Sequence, residues 1–145
     1  SLQEPDKRMS KSDENVNAFI SMMDDEAAVM RKFKRAVTDS EGGDIYSDAK
    51  KGVKNLIEIY SACTGKSIQD IEREFANSGY GQFKEAVGSA VWEVLSPIQS
   101  RQKELLNDKA YLEKIYTLAA ERASYTAGKM LRKVQKKVGL APRHL

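Results

Sequence analysis

Apolar residues recur at steps of three and four positions through most of this chain, and this period constrains the fold more than any other feature. The clearest stretch lies near the middle of the sequence, where five apolar residues fall on one side of a helix: Phe83, Val87, Val91, Val94 and Ile98. The two-residue alternation of a half-buried strand is missing, apart from a stub at Leu2. The sequence therefore predicts an all-α domain of about five helices.

Local signals suggest where the first helices begin and end. Three consecutive acids, residues 24–26, suit the positive start of a helix, and the glycine-containing turn at 38–44 is expected to end it. Gly65 is a suitable stop for the second helix, and Ser67 resembles the start of a capping box for the third. The three acids diverge around the helix and have no evident partner ligands, so we read them as helix-start residues and predict no metal site.

Two long helices are predicted to complete the chain. Pro97 lies inside the first of them and should kink it or mark its restart, because proline lacks a backbone donor. The last helix is expected at about 109–138. Its apolar side has small central residues that would let a neighbouring helix approach closely: Leu112, Ile115, Ala119, Ala123, Ala127, Met130, Val134 and Val138.

Composition limits the classes of function. The 145 residues suffice for one domain with a real core, and no apolar run approaches a membrane span. A single cysteine, Cys63, and a single histidine, His144, exclude an intrachain disulfide and a histidine–cysteine zinc site. We expect Cys63 to be a small buried apolar residue, and the chain to be cytoplasmic and free of metal.

The modest net charge of +3 hides a strongly basic end. From Arg122 onward the chain has no acidic residue and seven basic ones. Three of them, Lys129, Lys133 and Lys136, share the side of the last helix opposite its apolar stripe, with Arg132 and Lys137 flanking them. Such a row is suited to phosphates, although a merely solvated face explains it equally well.

A short basic segment near the start carries the residues with the clearest chemistry. In Arg8–Ser12, two serine hydroxyls and backbone amides can donate to phosphate oxygens, Lys11 supplies a mobile charge, and Arg8 can hold a second oxygen. Composition alone favours a plainer interpretation, a disordered linker or a kinase target. Asp13, which follows, suits either a cap for the next turn or a role in positioning the segment.

The order of residues resembles the tryptophanyl-tRNA synthetases, a family of class I aminoacyl-tRNA synthetases. RMSKS at 8–12 is similar to the KMSKS signature of that class, with Arg8 in place of its first lysine. LQEP (2–5), which precedes this signature, resembles the tryptophanyl branch, and stretches similar to the bacterial type follow the signature in order along essentially the whole chain: SDEN (12–15), AVTDSEG (36–42), GVKNLIEIYS (52–61), GYGQFKEAV (79–87) and LSPIQ (95–99).

The resemblance implies an activity and a division of the chain. In the family, ATP and tryptophan form tryptophanyl-adenylate and pyrophosphate, and tRNA-Trp then receives the amino acid. By position, Arg8, Met9, Ser10, Lys11 and Ser12 form the ATP-binding loop, with Lys11 as the main electrostatic catalyst and Met9 as an apolar anchor. ATP is a substrate that carries magnesium in the full-length enzyme, and we expect the chain alone to bind neither. Residues 1–23 would end the catalytic domain, and residues 24–145 would form an α-helical domain that binds tRNA and its anticodon.

The resemblance also implies what lies outside this chain. The family's Rossmann-type catalytic domain, with its HIGH-like signature, precedes the loop and is absent here. We therefore expect a carboxy-terminal portion that is inactive alone, from a parent enzyme that is a homodimer. A stand-alone helical RNA-binding module and a helical interaction protein without catalysis remain the alternatives.

Anticodon reading requires stacking and edge contacts to unstacked bases, for which aromatic residues are suited. Phe83 and Trp92 lie in apolar-periodic helix and are expected in the core. Tyr80, in the glycine-flanked turn SGYGQ, is the aromatic most favoured for exposure, although it also suits a plug between two helices. The tRNA-binding candidates are Tyr80, Lys129, Arg132, Lys133 and Lys136.

Overall fold

The computed structural model describes residues 1–39 and 46–140, and in these ranges all regular secondary structure is α-helical. The helices are α1 (Glu26–Lys34), α2 (Lys51–Thr64), α3 (Ile68–Phe75), α4 (Tyr80–Asn107) and α5 (Lys109–Val138). The prediction of an all-α domain is therefore confirmed. The chain divides into two compact units, Ser1–Ser100 and Arg101–Leu145.

The first unit contains the hydrophobic core. Its largest fully buried side chains come from the chain start and from α1, α2, α3 and α4: Leu2, Val29, Phe33, Val53, Leu56, Ile57, Ile71, Phe83 and Val87. The ring centroids of Phe75 and Phe83 lie 4.9 Å apart, and Tyr60 meets Phe75 edge-on at 5.6 Å. Burial of each such side chain contributes about 1.5–3 kcal/mol, so this cluster is the main source of the unit's stability.

Capping residues set several helix ends as the sequence predicts. The Asp25 carboxylate accepts a hydrogen bond from the Ala28 amide at 2.8 Å at the start of α1. The Ser67 hydroxyl caps α3 by accepting from the Asp70 amide. Gly65 ends α2 in the left-handed conformation, with φ of 73°.

α1 is shorter than predicted because the residues after Lys34 contact the start of the chain and do not continue the helix. The helix ends at Lys34, and Ala36 is buried just after it. The Val37 amide then donates a hydrogen bond to the Leu2 carbonyl at 2.9 Å. The Leu2 amide in turn donates to the Ala18 carbonyl at 2.9 Å, although no strand is formed at this point. Gly42 and Gly43, the expected terminators, lie outside the described residues.

The bounds of α5 agree with the prediction of about 109–138, whereas two other features of the long helices differ from the prediction. α4 runs without a break through Pro97, so the suggested restart is wrong. α5 has no buried residue, so the expected close helix neighbour along its small-residue stripe is not found in the described part of the second unit. Up to residue 140, the helices of this unit are the end of α4 and α5, and they leave the stripe uncovered within the described part of the unit.

Candidate functional site

The basic segment Arg8–Ser12 forms a tight turn on the surface of the first unit. The Ser12 amide donates to the Ser10 hydroxyl oxygen at 3.3 Å, and the Asp13 amide donates to the Ser10 carbonyl at 3.2 Å. Arg8, Lys11 and Ser12 are exposed. The turn therefore presents two cations and a hydroxyl to solvent, which suits an anionic ligand.

Met9 connects this turn to the body of the unit. It is half-buried and packs against the hydrophobic core. Its Sδ atom accepts a hydrogen bond from the Ile20 amide at 3.4 Å. Met9 and Lys11 together line a surface cavity of about 380 Å³, whose other lining residues are Phe19, Ile20, Ser21 and Met22. The apolar side chain thus anchors the turn, and the charged one stands at the cavity beside it.

Asp13 shapes the segment that follows the turn. Its Oδ1 atom accepts the Asn15 amide at 2.9 Å, and the side chain of Asn15 accepts the Asn17 amide at 3.0 Å. These local bonds fold the chain after Ser12 into successive turns, as Asp and Asn side chains commonly do. Between the two roles left open by the sequence, this geometry favours a cap for the next turn.

A buried ion pair that the sequence analysis did not identify lies beyond these turns. The Lys32 ammonium is 2.5 Å from Asp24 Oδ2, and their side chains are only 6% and 16% exposed. Lys32 also lies over the Phe19 ring, 5.1 Å from its centroid. The available signal was that Lys32 adjoins the apolar stripe of Val29 and Phe33, but a lysine there normally extends to solvent.

Tyr80 is half-buried at the start of α4. Its hydroxyl donates to Asp39 Oδ1 at 2.8 Å, and the Lys50 ammonium donates to that hydroxyl at 3.4 Å. Burial first, and then the bond to Asp39, raise the pKa of Tyr80 above its ordinary value. These contacts favour the alternative in which Tyr80 is a plug between two helices. Its role in tRNA binding stays a prediction.

The basic row lies on α5 in the second unit. Lys129, Arg132, Lys133 and Lys136 are all exposed, and the described residues provide none of them with an acidic partner within 4.0 Å. α5 also exposes Tyr116 and Tyr125, by 66% and 69%. These two tyrosines are more accessible for base stacking than Tyr80, although neither is among the candidates predicted from the sequence.

In the ranges 1–39 and 46–140, no three His, Cys, Asp or Glu side chains come together as a metal-binding group. Of the helices described, none combines the length and the apolar character that crossing a membrane requires.

A KMSKS-like turn followed by a helical domain fits the class I aminoacyl-tRNA synthetases, and comparison with known proteins agrees. The model of the family "tRNA synthetases class I (W and Y)" matches residues 1–96, about two thirds of the sequence. This chain therefore belongs to the class I tRNA synthetases of the tryptophanyl and tyrosyl group.

Individual relatives point to the tryptophanyl branch. The tryptophan–tRNA ligase of Clostridium tetani is 49% identical over 138 residues, which cover 95% of this chain and 41% of the relative. That of Clostridium acetobutylicum is 50% identical over 139 residues, or 96% of this chain and 42% of the relative. The crystal structure of tryptophanyl-tRNA synthetase from Mycoplasma pneumoniae matches with a TM-score of 0.75 and 26% identity, covering 97% of this chain and 44% of that one. The chain thus spans about two fifths of the length of these relatives.

Proposed function

We propose that this chain is the carboxy-terminal part of a tryptophan–tRNA ligase. The whole enzyme would activate tryptophan with ATP and transfer it to tRNA-Trp for protein synthesis. The observation that carries the proposal is the 49% identity to a tryptophan–tRNA ligase over 95% of the chain. The exposed, anchored turn at Arg8–Ser12 supports it, because a surface loop with free cations can close over a phosphate ligand and reopen.

The loop's chemistry follows from its exposed groups. When the α-phosphate of ATP is attacked by the tryptophan carboxylate, negative charge builds on the departing pyrophosphate. Lys11 would stabilise this charge electrostatically, and Ser10, Ser12 and the loop amides would donate hydrogen bonds to phosphate oxygens. Arg8 would contribute a planar fork in place of the compact ammonium of the usual first lysine. Magnesium would arrive with ATP as part of the substrate.

The division of the chain is also part of the proposal. Residues 1–23 would close the catalytic domain with the loop and a linker, and residues 24–145 would form the helical tRNA-binding domain. Residues outside this chain would supply the tryptophan pocket and most of the ATP site, so the chain alone would be inactive. We place the parent enzyme in the cytoplasm as a homodimer.

The RNA contact is assigned to the basic row of α5. Lys129, Lys133 and Lys136 recur at steps of four and three, so their ammonium groups follow one side of the helix. Such a row attracts the tRNA backbone and gives salt-dependent affinity with little base selectivity. Base reading would require aromatic residues, with Tyr80 as the sequence candidate and Tyr116 and Tyr125 as the accessible ones.

The test is tryptophan-dependent exchange of pyrophosphate into ATP, followed by charging of tRNA-Trp. We expect the full-length protein that carries this chain to catalyse both and the 145-residue chain alone to catalyse neither. Binding of tRNA by the chain, with no exchange activity in the full-length protein, would favour a stand-alone RNA-binding module instead. Neither activity nor RNA affinity above that for other polyanions would favour a helical interaction protein.

A further inference from the structure

The segment that leads out of the Arg8–Ser12 turn, residues 19–24, is attached to the helical body by unusually buried polar groups. Buried lysine and glutamine side chains are uncommon because they lose hydration, so each requires a specific partner. In the first unit two such side chains, Lys32 of α1 and Gln99 of α4, are 5% and 9% exposed. Both bond to this one segment, which indicates an anchor and not two incidental contacts.

Lys32 holds the segment through Asp24. The Asp24 Oδ2 atom accepts two hydrogen bonds, one from the Lys32 ammonium at 2.5 Å and one from the Ser21 amide at 2.9 Å. One carboxylate oxygen therefore joins α1 to the backbone turn at 21–24. If the ammonium is removed, a largely buried carboxylate is left without its counter-charge and has a strong tendency to move toward solvent.

The side chain of Gln99 binds the backbone of the same segment. The Nε2 atom donates to the Met22 carbonyl at 3.0 Å and to the Asp24 carbonyl at 2.7 Å, so both amide hydrogens are used. These contacts span 77 and 75 positions of sequence. Gln99 is the last residue of the LSPIQ stretch in α4, and the uninterrupted helix through Pro97 places it at this segment.

The anchored segment is bonded in turn to the loop. The Ile20 amide donates to Met9 Sδ, so the beginning of the segment contacts the second residue of the basic turn. We infer that Lys32 and Gln99 are positioning residues, which fix residues 19–24 against α1 and α4 and thereby set the pose of Met9 and the ATP loop. The catalytic consequence rests on the proposed function, whereas the anchoring itself is a property of this chain.

Amide hydrogen exchange in the 145-residue chain tests the anchor. In Lys32→Met, which keeps the aliphatic stem but not the charge, we expect exchange of the Ile20 and Ser21 amides to rise about tenfold, while α2 is unaffected. Gln99→Met, a similar shape without donors, should give the same local pattern. The control Lys66→Met removes an exposed ion pair with Glu74 and should leave residues 19–24 unchanged.

A second variant separates anchoring from loss of stability. Adding Asp24→Asn to Lys32→Met removes the stranded charge and keeps an acceptor for the Ser21 amide, so exchange at Ser21 should fall back toward the parent rate. Unchanged exchange at Ile20 and Ser21 in both single variants would overturn the inference. An equal rise throughout α2 would overturn it as well, since the residues would then support only the fold.

The consequence for catalysis is measured in the full-length ligase. With Lys32→Met we expect kcat for tryptophan-dependent exchange to fall about tenfold, because a misplaced loop loses transition-state contacts, with the KM for tryptophan unchanged. An unaltered kcat would refute the positioning role. If the parent protein shows no exchange activity at all, the proposed function fails, and hydrogen exchange in the chain still decides the anchor.

Discussion

Gly52 lies against the backbone of Val37 so closely that a Cβ atom at residue 52 would come within 2.2 Å of the Val37 carbonyl oxygen. The same Val37 donates its amide to Leu2, so this contact fixes the chain start against α2. The obstacle is backbone and not a flexible side chain, so an added methyl group cannot be accommodated by a rotamer change.

Gly52→Ala should therefore destabilise the first unit. Crowding of this kind costs about 1–3 kcal/mol, more than the helix propensity that alanine gains at the second position of α2. Gly81→Ala is the matched control, since Gly81 is also the second residue of its helix and has open space at its Cβ position. Urea unfolding of both variants measures the difference. A Gly52→Ala variant as stable as Gly81→Ala would show that the Val37 contact is not limiting.

Cys63 should react as a shielded thiol. It is half-buried and lines an apolar cavity of about 270 Å³ beside Ile59 and Met9, and burial raises its pKa above the ordinary thiol value. The thiolate is the nucleophile, so a thiol that stays protonated to higher pH reaches its full alkylation rate only at higher pH.

The measurement is the pH profile of iodoacetamide labelling. We expect the midpoint for Cys63 to lie above that of an exposed thiol introduced at α4 in the double variant Cys63→Ser/Ser89→Cys. Coinciding profiles would contradict the burial of Cys63.

The basic row of α5 should account for much of the salt dependence of RNA binding. Replacing Lys129, Lys133 and Lys136 by glutamine should lower the slope of log affinity against log salt for tRNA-Trp by about one per contacting lysine. A control with the same charge change replaces three other exposed lysines, Lys103, Lys109 and Lys114. Equal losses in both triple variants would mean that only the total charge matters.

Much of the fold could be predicted because its signals are local. The helical period, the Ser67 cap and the Gly65 stop depend on residues a few positions apart, and each was found where expected. The end of α1 was missed because it depends on Leu2, a residue more than thirty positions away. The exposure of α5 was missed because a stripe of apolar residues does not reveal whether a partner covers it.

The candidate site likewise has some features that the sequence predicts and others that it does not. The sequence motif is sufficient to identify the Arg8–Ser12 segment, and this identification requires no tertiary information. The pairing of Lys32 with Asp24 and the two bonds of Gln99 could not be predicted, because a charged or amide side chain on a helix gives no sign of its distant partner.

The most direct test concerns Lys11, the residue on which the proposed chemistry depends. In the full-length ligase we expect Lys11→Met to reduce kcat for tryptophan-dependent ATP–pyrophosphate exchange by about 10²–10³-fold, as loss of a transition-state charge partner does. The control Lys7→Met removes a neighbouring exposed lysine that pairs with Glu4 and should leave kcat nearly unchanged. A Lys11→Met enzyme within twofold of the parent would contradict the assignment of this turn to the ATP phosphates.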